Sequence, residues 1–130
     1  MRSPSPDPDG SPLILIVDDD ERNLRLAQDV LVAAGMRTLG AGTGTEGIAL
    51  AVEHLPDVIL MDLRLPDMDG MDAARRLAGS GRTASIPVVA LTSLRLEDEA
   101  SWLRTAGFAG SLVKPIDVDG FPAQVRRYCR

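Results

Sequence analysis

Short apolar runs rich in β-branched residues, each closed by a polar residue and most followed by a helix-spaced stretch, constrain this chain more than any other feature. Residues 13–17 read LILIV, with Pro12 before them and Asp18, Asp19 and Asp20 after them. A run that is apolar at every position fits a strand covered on both faces. The next segment spaces Leu24, Ala27, Leu31 and Ala34 along one helical face, and Gly35 stands where a helix would be capped. The alternation continues with a weaker strand over 36–41, a helix over 45–53 and the run DVILM after Pro56, ended by Asp62. LRLPDMDG then reads as a loop leading into a helix from about Met71 to Ala78. IPVVALT is a fourth buried strand closing on Thr92, residues 97–106 form a fourth helix ended by Gly107, and SLV before Lys114 and Pro115 is a fifth strand. A last helix runs from about Val118 toward the C-terminus. Five strands alternating with five helices require a parallel sheet covered on both faces, because each right-handed crossover lays its helix on the sheet.

The leading residues 1–12 differ in texture. Pro4, Pro6, Pro8 and Pro12 alternate with Ser, Asp and Gly, which offers no apolar face to bury. They are expected to form a flexible leader, with one folded domain over 13–130. The length of 130 residues suits a single core.

Composition removes several function classes. Nineteen acidic residues against fourteen basic ones leave a net charge of −5, which repels a phosphate backbone on average, and 3% aromatic residues cannot lay out a stacking platform. No nucleic-acid partner is expected. A single Cys (Cys129) and a single His (His54) exclude an intramolecular disulfide and a Cys/His zinc site. No apolar run reaches the length of a bilayer span, no secretory signal opens the chain, and a lone thiol suits a reducing compartment. A cytoplasmic protein without membrane contact is the expectation.

In an open parallel sheet, ligands gather outside the carboxyl ends of the strands. Asp18 and Asp19 end the first strand, Asp62 the third, Thr92 the fourth and Lys114 the fifth, so these polar groups converge on one edge. Any one of them alone reads as a turn or cap residue. Three carboxylates packed together stay ionised only if a cation joins them. Mg²⁺ suits that set, since it takes one or two protein carboxylates and keeps several waters, whereas Ca²⁺ needs more protein ligands. A hydroxyl on Thr92 and an ammonium on Lys114 suit an anionic group. Together they describe a phosphoryl site in which Asp62 is the nucleophile that would form an acyl phosphate.

The motifs VDDDERN at 17–23, LMDLRLPDMDG at 60–70, ALTS at 90–93 and LVKPI at 112–116 occur in one order and spacing. In this combination the chain resembles the response-regulator receiver domain of bacterial two-component signalling, from about Leu13 to Arg127. The resemblance implies a flavodoxin-like fold with strand order 2-1-3-4-5. It implies that Asp62 accepts a phosphoryl group, that Asp19, Asp62 and the carbonyl of Arg64 bind Mg²⁺ directly, and that Asp18 acts on the metal through water. Thr92 and Lys114 would hold the phosphoryl group and respond to it, and Lys114–Pro115 would be a cis bond. The donor would be a histidine kinase or histidine phosphotransfer protein, and the output a changed contact with a downstream protein. A stand-alone receiver, monomeric or weakly dimeric, is expected. It would be a switch and not an enzyme, apart from its own phosphorylation and dephosphorylation.

One position departs from the family pattern: Ser111 stands where Tyr or Phe is usual, three residues before the lysine. Arg64 and Leu94 occupy positions that tune hydrolysis in the family. A small Mg²⁺-dependent aspartyl phosphatase shares the Asp, Thr and Lys chemistry, but it needs a second acid two residues after the nucleophile, where this chain has Arg64. A receiver-shaped scaffold that works without phosphorylation fits less well, because every acidic position and the lysine are present. Among the remaining candidates, His54 reads as a helix-end residue, and Arg126, Arg127 and Arg130 as cations favoured by a helix C-terminus. Asp67 reads as a turn residue and Asp69 as an N-cap. Trp102 reads equally as a core residue or a partner anchor.

Overall fold

The computed structural model describes residues 11–92, 105–114 and 116–129. Its strands are β1 (Leu13–Val17), β2 (Arg37–Ala41), β3 (Val58–Asp62), β4 (Val88–Thr92) and β5 (Gly110–Val113). They form one parallel sheet in the order β2-β1-β3-β4-β5. β1, β3 and β4 are buried along their whole length, as their unbroken apolar runs require, while the edge strand β2 is largely half-buried and carries the weaker pattern.

Successive residues along each strand point to opposite faces, and the two faces are two cores. Leu15, Val17, Ile59, Met61, Val88 and Ala90 pack with Ala51, Ala73, Ala74 and Leu77 from α2 (Gly44–His54) and α3 (Gly70–Ala78). Ile14, Ile16, Val58, Leu60, Val89 and Leu91 pack with Ala27 and Leu31 of α1 (Glu21–Ala33) and with Phe121 and Val125 of α4 (Phe121–Tyr128). The helical stripe expected from Leu24 to Ala34 faces this second core. Full burial of a leucine such as Leu31 contributes about 1.5–3 kcal/mol.

The helix ends follow local chemistry. Asp20 caps α1, its carboxylate accepting from the N–H groups of Arg22 at 2.9 Å and Asn23 at 3.2 Å. At the other end, Met36 N–H donates to the Leu31 carbonyl and Gly35 N–H to the Val32 carbonyl, both at 3.0 Å. This is a Schellman turn, and it needs Gly35 at φ +91°. Asp69 caps α3 as expected, accepting from Met71 N–H at 2.9 Å. α2 extends one residue beyond the expected 45–53 at each end, and His54 occupies its last turn beside Glu53 at 3.1 Å.

Of the five expected helices, four lie among the described residues. The helix expected over 97–106, with Trp102, falls mostly on residues 93–104, outside them, as do residues 1–10, Pro115 and Arg130. Of the expected leader, Ser11 and Pro12 are described, and their carbonyls accept from Arg37 Nη2 at 3.0 Å and Arg37 N–H at 2.9 Å. No helix among the described residues is long and apolar enough to cross a membrane.

Candidate functional site

Strand order reverses direction between β1 and β3, and that is where an open parallel sheet leaves a crevice at its carboxyl edge. The register pairs Val17 with Met61, so Asp18, the next residue after β1, stands beside Asp62, the last residue of β3. Asp18 N–H donates to the Ala41 carbonyl at 3.0 Å, continuing the ladder toward β2, and Lys114 N–H donates to the Thr92 carbonyl at 2.8 Å, continuing that of β4 and β5. Sheet geometry therefore carries the polar residues to the rim.

The side chains converge there. Lys114 Nζ lies 2.7 Å from Asp62 Oδ2 and 3.2 Å from Asp18 Oδ2. The second oxygen of each carboxylate is held by backbone: Asp18 Oδ1 accepts from Asp20 N–H and Asp62 Oδ1 from Arg64 N–H, both at 2.9 Å. Asp18 is 2% exposed and Asp62 9%, whereas Asp19 is exposed at the mouth. Burial pushes the Asp18 carboxyl up from its ordinary value and Asp62 adds to this, against the Asp20 N–H and the Lys114 charge. Burial works against the Lys114 ammonium, but the two carboxylates outweigh it and raise its pKa. A cleft of about 330 Å³ opens on this cluster, with Asp19, Asn23, Arg64 and Thr92 on its walls.

One carboxylate oxygen from each of Asp18, Asp19 and Asp62 lies within 4.8 Å of the others. An octahedral ion with bonds of about 2.0–2.1 Å sets neighbouring ligand oxygens about 3 Å apart and opposite ones about 4.2 Å apart. The donors are all carboxylate oxygens within a span close to that of one octahedral shell, a set whose chemistry fits Mg²⁺. The structure thus gathers every residue predicted for the site: Asp18, Asp19, Asp62, Arg64, Thr92 and Lys114 line one cleft.

The model of the response regulator receiver domain family matches residues 14–126. The chain belongs to that family. The response regulator DivK of Brucella anthropi, described as a polar-differentiation regulator, is 34% identical over 115 residues, covering 88% of this chain and 94% of that one. The chemotaxis response regulator CheY4 of Vibrio cholerae shares the fold at TM-score 0.85 with 24% identity, over 91% of this chain and 98% of that one. The receiver domain of the sensor histidine kinase PA1611 from Pseudomonas aeruginosa PAO1 superposes at TM-score 0.81 with 28% identity, over 91% of this chain and 97% of that one. That structure has a magnesium ion coordinated in its active-site cleft. Receiver domains are signalling switches of two-component systems that bind Mg²⁺ at an acidic pocket, and this chain carries an acidic cluster of Asp18, Asp19 and Asp62.

Two residues of this receiver domain have parts that the sequence pattern left unassigned. Asn23 lines the cleft from the first turn of α1, four residues along the chain from Asp19. Asp67, expected as a turn residue, does more than turn the chain. Its carboxylate accepts from Gly44 N–H at 2.8 Å, Thr45 N–H at 2.9 Å and the Thr45 hydroxyl at 2.6 Å. Those donors, the Thr45 hydroxyl first, pull its pKa down to about 2. Nothing local to residues 65–69 announces a partner more than twenty residues upstream. Ser111 sits on β5 opposite Ala90, beside a cavity of about 170 Å³ walled by Leu91, Ile116 and Phe121.

Proposed function

We propose that this chain takes a phosphoryl group from a histidine kinase or histidine phosphotransfer protein onto Asp62, in a Mg²⁺-dependent reaction, and passes the signal on through altered binding of a downstream protein. The observation that carries this reading is the position of Lys114 Nζ, in contact with Asp62 at 2.7 Å and Asp18 at 3.2 Å, above a three-carboxylate cluster. Bound Mg²⁺ would supply positive charge for the equatorial oxygens of the transferring group. Asp19, Asp62 and the Arg64 carbonyl are its direct ligands in this reading, with Asp18 acting through water.

An Asp62 oxygen attacks phosphorus, and the P–O bond forms as the P–N bond to the donor imidazole breaks, the bonding pair leaving with the ring nitrogen. The Arg64 N–H holds one Asp62 oxygen, so the carboxylate meets the donor in a single orientation. Lys114 transfers its contact from the free carboxylate to the phosphoryl oxygens, and the Thr92 hydroxyl at the end of β4 takes another of them. Asp18 and Asp62 lose a shared cation when the lysine moves, and that exchange is the event a partner surface can sense. The chain turns over no other substrate and works in the cytoplasm, as a monomer or weak dimer.

Intact-mass analysis with acetyl phosphate and Mg²⁺ tests the reading. Wild type should gain one base-labile phosphoryl mass and Asp62→Asn none; equal labelling of both would remove Asp62 as the acceptor.

A further inference from the structure

The loop from Leu63 to Asp69 joins the end of β3 to α3, and it is held at two places. At its base, Gly70 N–H donates to the Leu63 carbonyl at 2.9 Å, and Arg64 and Asp69 face each other in an isolated antiparallel bridge. At its tip, the Asp67 carboxylate sits on the N-terminus of α2. The first N–H groups of that helix are all accounted for: Asp67 takes those of Gly44 and Thr45, the Thr43 hydroxyl takes that of Glu46 at 3.1 Å, and the Thr43 carbonyl that of Gly47 at 3.0 Å. Asp67 therefore serves as half of the cap of a helix to which it is not joined in sequence. Apolar contact reinforces the clasp, since Met68 lies against Gly44 and packs into the first core together with Leu63 and Leu65.

We infer that Asp67 is a positioning residue for the acidic site: by tying the loop tip to α2 it fixes the Arg64 backbone, and through it the Asp62 carboxylate. The chain of contacts is short. Asp62 Oδ1 is oriented by Arg64 N–H, Arg64 is bridged to Asp69, and Asp67 pins the residues between them to a helix packed on β1 and β2. Glu46, the nearest carboxylate on α2, is itself engaged with Gly42 N–H at 3.0 Å and does not compete for the Thr45 donors. Freed from the clasp, the four residues from Leu65 to Met68 gain backbone freedom, and both groups that Arg64 presents to the cleft lose their fixed orientation. The inference rests on the proposed reading of Asp62 and the Arg64 carbonyl as Mg²⁺ ligands.

The test is calorimetric titration of Mg²⁺ into wild type, Asp67→Asn and Asp67→Ala without phosphodonor, followed by acetyl-phosphate labelling at low and at saturating Mg²⁺. Loss of a group bonded directly to a metal ligand weakens binding about 10–100-fold, and Asp67, which acts one step further out through the loop, is expected to reach the low end of that range, about tenfold. Asp67→Ala should show a dissociation constant raised by about that factor, and Asp67→Asn, which keeps one acceptor oxygen, a smaller increase. Labelling of Asp67→Ala should be slow at low Mg²⁺ and return to the wild-type rate at saturation. Because Mg²⁺ binding also stabilises the folded state, the comparison is made at a temperature where circular dichroism shows metal-free Asp67→Ala to be as fully folded as wild type, so that a general loss of stability cannot mimic the recovery. An Asp67→Ala protein that is folded and binds Mg²⁺ within twofold of wild type overturns the inference while leaving the Asp62 reading intact. Wild type that takes up no Mg²⁺ overturns both. If Asp67→Ala does not fold, Thr45→Val and Asp67→Asn carry the same comparison, with unchanged affinity in both as the overturning result.

Discussion

Lys114→Met removes the ammonium from the site and keeps an unbranched stem of similar volume. In the metal-free protein that ammonium faces Asp62 at 2.7 Å and Asp18 at 3.2 Å. At an effective dielectric constant near 20 these contacts are gross attractions of about 6 and about 5 kcal/mol, offset by the cost of taking all three groups out of water. The net loss has a ceiling, because the folded variant can relieve its two carboxylates by binding one proton. For a carboxyl with an ordinary value of 3.8, that proton costs about 4.4 kcal/mol at pH 7 and about 1.6 kcal/mol at pH 5, at 1.36 kcal/mol per unit. Lys114 keeps 18% of its side chain exposed and Asp62 12%, so solvent takes up part of the loss. The expected destabilisation is about 2–4 kcal/mol at pH 7 and under about 1.6 kcal/mol at pH 5. The sign follows from Asp18. Its folded-state pKa is already raised, and without the lysine it rises further, so the variant is relatively most stable below the ordinary carboxyl value and loses ground as pH climbs. Wild-type Lys114, raised above 10.5, contributes its full stabilisation throughout this range and loses it only in more alkaline solution. Urea unfolding in chelator at pH 5 and pH 7 measures both losses. Saturating Mg²⁺ at about 100 times its dissociation constant should then add about 2.7 kcal/mol, and at least as much to the variant as to wild type. A loss as large at pH 5 as at pH 7, or one that Mg²⁺ leaves unchanged, would refute the electrostatic argument and assign the cost to packing.

Gly70→Ala should cost about 1–3 kcal/mol, seen as a lower thermal midpoint, because its Cβ would fall on the Asp62 carbonyl oxygen and 2.8 Å from Leu63 Cα, backbone atoms that cannot rotate away; an unchanged midpoint would show that the β3–α3 loop shifts freely. Asp67, held to about 2 by Thr45 and Gly44, contributes stability that is complete above about pH 4 and fades as pH falls toward 2. Acid titration followed by circular dichroism should therefore separate wild type from Asp67→Ala at neutral pH and bring them together near pH 2. A constant gap across that range would deny the carboxylate its part in the cap.

Strands and their ends are the most legible part of this protein. LILIV, VILM and VVAL admit little except strands buried on both faces, since no water-facing side interrupts them, and the polar residue that closes each run is the one the sheet carries to its rim. Asp18, Asp19, Asp62, Thr92 and Lys114 could be gathered into one site before any coordinates, because a parallel sheet places all strand ends on the same edge. Local chemistry also settles several helix ends, as the Asp20 and Asp69 caps and the Gly35 turn illustrate. Tertiary structure decided what no local rule encodes. The Asp67 carboxylate meets the first N–H groups of α2, more than twenty residues upstream. Arg82 reaches the Val52 carbonyl near the end of α2, and Arg126 reaches the Ala34 carbonyl at the end of α1 at 2.6 Å. In each case a charged side chain satisfies backbone groups of an element distant in sequence. Periodicity and caps are properties of neighbouring residues and can be read along the chain. Which orphan N–H or C=O a long-range partner will meet depends on how helices settle on the twisted sheet, and that is fixed only when both cores are packed.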